Sequence, residues 1–391
     1  MSIRNFLYKA TISEKTLYNF YNWLELQRQF YNVALEQRID AYKKQKKFMT
    51  LFDQQYQLKG WAKEFTEYQG MNVQSMRMVL ERIYWSYKSF FRKNNNGIKA
   101  GLPRFRGKGR FDSIQFAQSG WELKGRYLYI KNIGRFKLNK NNILQGRIKH
   151  ITIRKTSTNK IFVTFTCDDV PQKIYPVSDK KVGLDVGLKH FVYDSDGKTF
   201  ENPRYFQTAQ KKLAKAQRIF SRKKKGSKNR EKARLAVAKI YEKIVNQRKD
   251  FQHKVSHYYA QNYGTIVVED LDIKGLTHNN ILAFNICDAG WGGFLVKLSY
   301  KAEEAGRMFY KVPPQYTSQE CSSCGKTVKK SLSTRTHRCE CGLVLDRDYN
   351  AAINILNKAG GRTDRPGELK SLPQRSEAGD FPVEDVKTFK E

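Results

Sequence analysis

Residues 316–354 read YTSQECSSCGKTVKKSLSTRTHRCECGLVLDRDYNAAIN. Four of the six cysteines of the chain lie in this segment as two closely spaced pairs: Cys321 with Cys324, then Cys339 with Cys341. Four thiolates at such spacing suit one tetrahedral zinc ion, which can stabilise a segment too short to bury a core of its own. An acidic residue, Asp348, follows at the start of a helix-forming run. The segment therefore predicts a zinc ribbon that ends next to a carboxylate.

The second cysteine pair leaves the ligand set open. Cys339 and Cys341 enclose one residue, whereas the usual zinc knuckle encloses two or more. His337 lies two positions earlier and could replace one cysteine, although four cysteines are the favoured set. The spacing disfavours free thiols or a disulfide. Cys167 and Cys287 have no partner at metal spacing and are predicted to be small, buried hydrophobic residues.

The charge of the chain points to a polyanionic partner. Its 391 residues include 73 Lys and Arg against 37 Asp and Glu, a formal net charge of +36. Such an excess opposes folding by self-repulsion and is tolerated where nucleic acid neutralises it. No apolar run approaches about 20 residues, so no membrane partner is expected. The N-terminus lacks an apolar signal core and the cysteines are few, which predicts a cytoplasmic protein.

The N-terminal half predicts helices inserted into a β structure. Residues 2–12 are predicted to form a strand, and Ser13 can cap the first helix of a helical region over 13–96. A second helix in that region has an apolar stripe at helical spacing: Met76, Leu80, Ile83, Tyr87 and Phe90. The flanking cations could face phosphates or solvent. Period-two patterns over 113–166 then predict a small antiparallel barrel.

A basic segment follows the helical region, with the sequence GLPRFRGKGRFDSIQF at residues 101–116. Its arginines and lysine alternate with Phe105 and Phe111, and Gly107 and Gly109 would let a backbone approach closely. Cations beside aromatic residues favour contact with nucleic acid, although this signal is weak by itself.

From residue 181 onward the pattern changes to an α/β core of ribonuclease H type. A buried strand carries Asp185, a hairpin follows, charged helices span 205–260, and a second buried strand ends in Glu269. Desolvating an unpaired carboxylate costs several kcal/mol, so Asp185 needs a partner. That partner is either a local salt bridge or cap, or a metal ion.

Three carboxylates stand out by their positions: Asp185 within a strand, Glu269 at a strand end and Asp348 at a helix start. Acids from such positions can converge at one edge of the core, where they suit two hard divalent ions. Two such ions activate a water and stabilise the leaving oxygen in phosphodiester hydrolysis. Composition alone does not select these three acids, so the choice also depends on the resemblance described next.

Four blocks occur in the order GLDVGLKHF, IVVEDL, YTSQECSSCG and CGLVLDRDYNAAINI. With GLPRFRGKGRFDSIQF and AFNICDAGWGGFLVKLSYKAEEAG, they resemble the TnpB family of transposon-encoded, RNA-guided DNA endonucleases. That family is related to compact type V CRISPR effectors and has a nuclease of the RuvC type. The resemblance covers most of the chain, and the combination of blocks is much more specific than any single block.

The resemblance implies that Asp185, Glu269 and Asp348 are the catalytic, metal-binding triad. Asp348 is chosen over Asp346 because the catalytic Asp of the family stands two residues before an Asn, here Asn350. The resemblance also implies two catalytic Mg²⁺ ions beside one structural Zn²⁺. The expected partners are a guide RNA from the end of the mobile element and target double-stranded DNA, which is cut next to a short motif. The protein is expected as one monomer per RNA or a weak dimer.

The expected fold is multidomain α+β and α/β, with five predicted regions. They are a β-barrel (wedge) domain at 1–12 and 97–178, a helical recognition domain at 13–96, a RuvC-like nuclease domain at 179–314 and 345–365, a zinc ribbon that binds target nucleic acid at 315–344, and a flexible tail at 366–391. Two alternatives stay open: a compact CRISPR effector with the same chemistry, and an RNA-guided repressor. The repressor is disfavoured because all three acids are present.

Overall fold

A computed structural model of the chain describes residues 2–139, 143–171, 175–278, 282–331 and 334–360. The predicted tail at 366–391 therefore lies outside the described residues. The chain forms two compact units, the first comprising Met1–Lys173 with Ala209–Val245, and the second comprising Ile174–Thr208 with Asn246–Glu391. No helix within the described ranges is long and apolar enough to cross a bilayer.

Seven strands form an antiparallel sheet in the first unit. They are β1 (Ser2–Ile12), β2 (Ser113–Phe116), β3 (Trp121–Lys124), β4 (Tyr127–Ile130), β5 (Gly134–Asn139), β6 (Arg147–Lys155) and β7 (Ile161–Val170). Their order is β2-β6-β7-β1-β5-β4-β3, so the predicted N-terminal strand lies at the centre of the sheet. The short strands β2 and β3 lie at opposite edges. Among the described residues the backbone pairing thus gives an open sheet, without the closure that a barrel requires.

Three long helices follow β1 in the chain: α1 (Glu14–Gln45), α2 (Leu51–Glu64) and α3 (Val73–Asn95). The predicted cap is confirmed, because the Ser13 side chain accepts a hydrogen bond from the backbone amide of Thr16. The predicted stripe on α3 is also confirmed, with Met76, Leu80 and Ile83 fully buried. These helices share one hydrophobic core with the sheet, which explains why neither element needs a separate core.

The second unit contains a mixed five-stranded sheet. Its strands are β8 (Lys181–Asp185), β9 (His190–Asp194), β10 (Thr199–Glu201), β11 (Thr265–Glu269) and β12 (Met308–Val312), in the order β10-β9-β8-β11-β12. The strands β8, β11 and β12 are parallel, and the β9–β10 hairpin is antiparallel. The remaining helices are α4 (Tyr205–Ser221), α5 (Lys228–Asn262), α6 (Ile273–Leu276), α7 (Ala283–Ala289), α8 (Trp291–Glu304) and α9 (Arg347–Ala359).

Helices cover both faces of the mixed sheet. Ile266 and Val268 pack in a cluster with Tyr259 of α5 and Phe294 of α8. The intervening residue, Val267, faces the opposite way and packs in a smaller cluster with residues of α9. A parallel strand covered on both faces must be apolar throughout, as the run at 266–268 is. The chain then adds a two-stranded ribbon, β13 (Thr336–Arg338) with β14 (Val344–Asp346), directly before α9.

Candidate functional site

Two of the predicted acids lie at the same edge of the mixed sheet. Asp185 is the last residue of β8, and Glu269 is the last residue of β11. The two strands are parallel neighbours, with Leu184 opposite Val268. Open α/β sheets gather functional side chains outside the carboxyl ends of their strands. The strand register therefore brings these two carboxylates to one place.

The third acid, Asp348, comes from the first turn of α9, which lies directly against β8. A Cβ atom added at Gly183 would lie 2.2 Å from the carbonyl oxygen of Ala352, so only glycine permits this approach. A carboxylate oxygen of Asp348 lies 4.0 Å from the position that a Cβ would take on Gly187. Gly187 is two residues beyond Asp185, so the packing of α9 brings Asp348 to the end of β8.

The neighbouring acid, Asp346, has a different role. Its Oδ1 accepts a hydrogen bond of 2.8 Å from the backbone nitrogen of Asp348, which makes Asp346 the N-cap of α9. Its Oδ2 lies 3.9 Å from Nζ of Lys189. The two aspartates of the Asp-Arg-Asp sequence are thereby distinguished, since one caps the helix.

The electrostatics around Asp185 are unfavourable for its negative charge. Burial raises the pKa of Asp185 well above its usual range, and the nearby carboxylates of Glu269 and Asp348 raise this pKa further. The guanidinium of Arg347 acts in the opposite direction without cancelling the effect. Acids held together against their own repulsion are typical of functional sites, and a bound cation would relieve the repulsion.

Glu269 is oriented by a hydroxyl group. Burial raises the pKa of Glu269, while a hydrogen bond from Thr317 and the charge of Lys358 oppose that rise. Oγ1 of Thr317 donates this bond to Oε1 at 2.6 Å. The second carboxylate oxygen of Glu269 has no protein partner in the part of the chain that the structure describes, and it could bind a hard cation.

Two residues near the acids were not predicted from the sequence. They are Thr317 and Arg335, whose guanidinium lies 3.9 Å from Oδ1 of Asp348. Both belong to the segment at 316–354, but neither falls in a spacing or period that marks a function. Their positions follow from the fold of the ribbon, so no sequence signal could have selected them.

Helix α9 is joined to the cysteine-bearing segment by two buried amides. Asn350 donates to the carbonyl oxygen of Glu320 at 2.7 Å, and its Oδ1 accepts from the amide of Ser322 at 3.0 Å. Asn354 donates to the carbonyl oxygens of Thr317 at 2.9 Å and Glu320 at 2.7 Å. These bonds fix the backbone beside Cys321 to the helix that carries Asp348.

An aromatic pair holds the start of α9 on its other side. The rings of Tyr193 and Tyr349 stack with centroids 5.4 Å apart and an interplanar angle of 22°. Tyr193 lies opposite Asp185 in the β8–β9 register, and Tyr349 follows Asp348 in the chain. The stack therefore connects the strand that faces one acid to the helix turn that carries another.

The four cysteines of the ribbon come together as a group that could hold a metal ion, with all four Sγ atoms within 4.8 Å of one another. The Sγ atoms of Cys321 and Cys341 lie 3.6 Å apart, and those of Cys324 and Cys339 lie 3.5 Å apart. Sulphurs on one tetrahedral zinc ion lie about 3.8 Å apart for Zn–S bonds of about 2.3 Å. The donor set and its spacing thus fit a tetrahedral metal.

His337, the alternative ligand, lies outside this group. It is fully buried, and its Nδ1 contacts Nζ of Lys330. Burial acts to raise the pKa of Cys321, but hydrogen bonds from the backbone amides of Cys324 and Ser323 outweigh it and lower the pKa to about 6. A backbone hydrogen bond at Lys326 acts to lower the pKa of Cys324, but hydrogen bonds with the neighbouring thiols and burial outweigh it and raise the pKa to about 12. The thiols therefore share their protons as one group, and a metal ion would displace those protons.

The two cysteines outside the ribbon differ from each other. Cys167 is fully buried in the core of the first unit, as predicted. The prediction for Cys287 was wrong, because this cysteine is exposed on α7. That helix buries Ile286 and Ala289, and Cys287 lies on its other side.

Two family models match the chain. Residues 167–280 match the model described as "Probable transposase" (OrfB_IS605), and residues 291–355 match "Cas12f1-like, TNB domain". A protein of Streptomyces pristinaespiralis named as an RNA-guided DNA endonuclease is 30% identical over 90% of this chain and 92% of its own length. The RNA-guided DNA endonuclease InsQ of Escherichia coli (strain K12) is 32% identical over 72% of this chain and 73% of its own.

This chain belongs to the TnpB family of RNA-guided DNA endonucleases. The match to the transposase model, at residues 167–280, includes Asp185 and Glu269. The match to the TNB-domain model, at residues 291–355, includes Asp348 and the four cysteines. A solved structure titled "Cryo-EM structure of the Cas12f1-sgRNA-target DNA complex" has a related fold, with a TM-score of 0.59, 17% identity, and coverage of 88% of this chain and 82% of the other. The family matches and the relatives confirm the TnpB resemblance predicted from the sequence.

Proposed function

We propose that this protein is a Mg²⁺-dependent endonuclease that cuts target double-stranded DNA under the direction of a guide RNA. The main support for this proposal is that the fold places Asp185, Glu269 and Asp348 at one edge of the mixed sheet. The chain also belongs to the TnpB family. Carboxylate oxygens are the ligands that Mg²⁺ prefers, and burial together with the neighbouring carboxylates raises the pKa of Asp185, which a bound cation would oppose.

The three acids would hold two Mg²⁺ ions between them. When bound, such a pair supplies an activated water and stabilises the leaving oxygen of the phosphodiester. Thr317 orients Glu269 for this task, and the seating of α9 on Gly183 sets the position of Asp348. Arg335 lies close enough to Asp348 to face a phosphate held at the same site.

The ribbon would hold one structural Zn²⁺ through Cys321, Cys324, Cys339 and Cys341. The distances between its sulphurs support this assignment. The finer fold assignments are a RuvC-like, ribonuclease H-type core at 179–314 and 345–365, and a zinc ribbon at 315–344 that contacts target nucleic acid. The order of the mixed sheet and its cover of helices on both faces support the first of these.

The regions at 1–12 with 97–178 and at 13–96 would bind the guide RNA and read a short motif beside the target. The net charge of +36 supports an extended contact with phosphates. A guide from the end of the element itself is proposed, and a guide from a CRISPR array is the alternative that the Cas12f1-like match favours. Sequencing the RNA that co-purifies with the protein decides between these two sources.

Cleavage of a guide-matched DNA by the protein, its co-purified RNA and Mg²⁺ tests the proposal. The wild type is expected to cut, and Asp185→Ala is expected to bind the same RNA and DNA without cutting. Asp250→Ala, which removes an exposed carboxylate paired with Lys254, is the matched control and should cut normally. An intact Asp185→Ala protein that cuts at the wild-type rate would contradict the assignment.

A further inference from the structure

The loop between α3 and β2 has features that the cleavage site does not explain. Residues 101–111, named here the basic loop, are almost entirely exposed. They include two large apolar side chains in contact with solvent, Leu102 at 58% exposure and Phe105 at 55%. An exposed aromatic ring among cations can stack on a base while the cations bind phosphates, which makes this segment a candidate nucleic-acid surface.

The basic loop is anchored at its centre by α1. Oδ1 of Asn32 accepts a hydrogen bond of 2.7 Å from the backbone nitrogen of Arg106, and Nδ2 of Asn32 donates to the carbonyl oxygen of Arg106 at 3.0 Å. Arg28 donates to the same carbonyl oxygen at 2.9 Å, and Glu25 orients Arg28 with bonds of 2.6 and 3.0 Å. The backbone next to Phe105 is therefore fixed by two side chains of a packed helix.

The two phenylalanines of the basic loop point to opposite environments. Phe111 is buried, with its ring 6.2 Å from that of Tyr31 and the guanidinium of Arg82 5.1 Å from its centre. Phe105 is exposed although its neighbour Arg106 is held in place. Since the fold buries one ring of this loop and anchors the other outward, the exposure of Phe105 does not result from a loose backbone.

The charges around Phe105 are available for a ligand. Arg104, Lys108 and Arg110 are exposed, and no carboxylate lies within ion-pair distance of any of them within the described ranges. A hydrogen bond from Arg28, and to a lesser extent the charge of Lys108, lowers the pKa of Glu25. The nearby carboxylate of Glu25 is already bound by Arg28. Gly109 has no atom within 4 Å of the position of a Cβ, which leaves room for a backbone to approach.

We propose that the basic loop binds the guide RNA, with Phe105 stacked on an unpaired base and Arg104, Lys108 and Arg110 on the adjacent phosphates. An aromatic ring can stack on a base only where that base is not already stacked in a duplex. Folded RNA offers such bases in its loops, whereas target DNA offers them only after it has been opened. The inference rests on the proposed function, because it requires that the protein carries an RNA.

Equilibrium binding of RNA without DNA or Mg²⁺ tests this inference. The probe is a labelled transcript of the RNA that co-purifies with the wild type. Phe105→Ala and Phe105→Leu are expected to raise the Kd by about 5- to 150-fold, the range that base–aromatic stacking provides. Phe105→Tyr keeps the ring and should bind like the wild type. Phe284→Ala removes a ring that is 39% exposed on α7, outside the regions proposed to bind the guide RNA, and is the matched control, with no expected change.

The salt dependence of RNA binding tests the phosphate contacts separately. Arg110→Gln is expected to reduce the slope of log K against log salt by about one, and Phe105→Ala should leave that slope unchanged. An Asn32→Ala variant, which releases the anchor, should weaken RNA binding even though its own side chain does not touch the RNA.

Wild-type RNA affinity in Phe105→Ala would overturn the inference. So would a variant that binds RNA normally but loses affinity for DNA as a preformed complex, because the loop would then be a DNA surface. Neither result affects the cleavage assignment, which Asp185→Ala tests. A wild-type protein that carries no RNA would contradict the proposed function itself, and with it this inference.

Discussion

The cysteine cluster and the acidic site are assembled over very different lengths of chain. The four sulphurs come from residues 321–341, where two short turns with positive φ at Gly325 and Gly342 bring them together. The three carboxylates come from residues 185–348 and depend on two parallel strands and a helix seated on Gly183. Local turns are sufficient for the first site, whereas the second needs the packed sheet.

We expect the acidic site to depend on the cysteine cluster more than the cluster depends on the acidic site. Asn350 and Asn354 bond α9 to the backbone at 317–322, so loss of the cluster would loosen the helix that carries Asp348. The turns that bring the cysteines together are local, so we expect damage at the sheet to leave the cluster in place. The variants below separate these two effects, from the largest expected change to the smallest.

Glu269→Gln tests the acidic site without touching the ribbon. The variant keeps the shape of the side chain but removes its charge, and single-turnover cleavage is expected to fall by about 10³-fold or more, because metal stabilisation is worth several kcal/mol. The neighbouring Asp270→Asn is the control, since Asp270 is exposed and pairs with Lys311 at 3.0 Å. An equal loss of cleavage in Glu269→Gln and Asp270→Asn would show that Glu269 has no special role in the acidic site.

Cys321→Ser tests the link from the ribbon to the acids. The zinc content measured by mass spectrometry should fall from one ion per chain towards none. Cleavage should fall by about 10- to 100-fold, comparable to the effect of losing supporting contacts around a metal site. Cys287→Ser removes an exposed thiol outside the cluster and should leave both quantities unchanged. Full activity in a zinc-free protein would show that α9 does not need the ribbon.

Gly183→Ala tests the close packing of α9 against β8. The added Cβ would meet the carbonyl oxygen of Ala352 at 2.2 Å, so the helix must move. Overpacking of this kind costs about 1–3 kcal/mol of unfolding free energy, and cleavage should fall while zinc content stays normal. Gly60→Ala on α2 has free space around it and should stabilise the protein slightly. A stable, fully active Gly183→Ala protein would contradict the close approach of the helix.

Asp185→Asn should stabilise the metal-free protein. The folded-state pKa of Asp185 is raised by burial and by its acidic neighbours, so the wild type loses stability as pH rises through that pKa. Without divalent ions at about pH 8, the variant should have a higher free energy of unfolding than the wild type. The difference should shrink in acid, where the carboxyl is protonated in both states. Added Mg²⁺ should reverse the order by stabilising only the wild type.

The local positions of the acids could be predicted because each depends on nearby residues. The apolar runs at 182–184 and 265–268 predict buried strands, and the carboxylates of Asp185 and Glu269 stand at the ends of the strands that form. The position of Asp348 in the first turn of α9 follows from the helical pattern of the residues after it. The cysteine spacing likewise predicts a cluster, because short turns decide it.

Contacts between distant segments could not be predicted in the same way. The hydrogen bond of Thr317 to Glu269 joins residues that share no period or motif. The need for glycine at 183 depends on Ala352, which packs against it only after the sheet has formed. The exposure of Cys287 and the open edges of the large sheet also depend on which faces find partners.

The central claim is that Asp348, and not Asp346, completes the acidic site. Single-turnover cleavage by Asp348→Asn and Asp346→Asn, each loaded with the same guide RNA, tests it most directly. Asn is a good N-cap, so Asp346→Asn should keep α9 in place and cut at close to the wild-type rate. Asp348→Asn should bind RNA and DNA normally and fail to cut. An active Asp348→Asn protein beside an inactive Asp346→Asn protein would contradict the account.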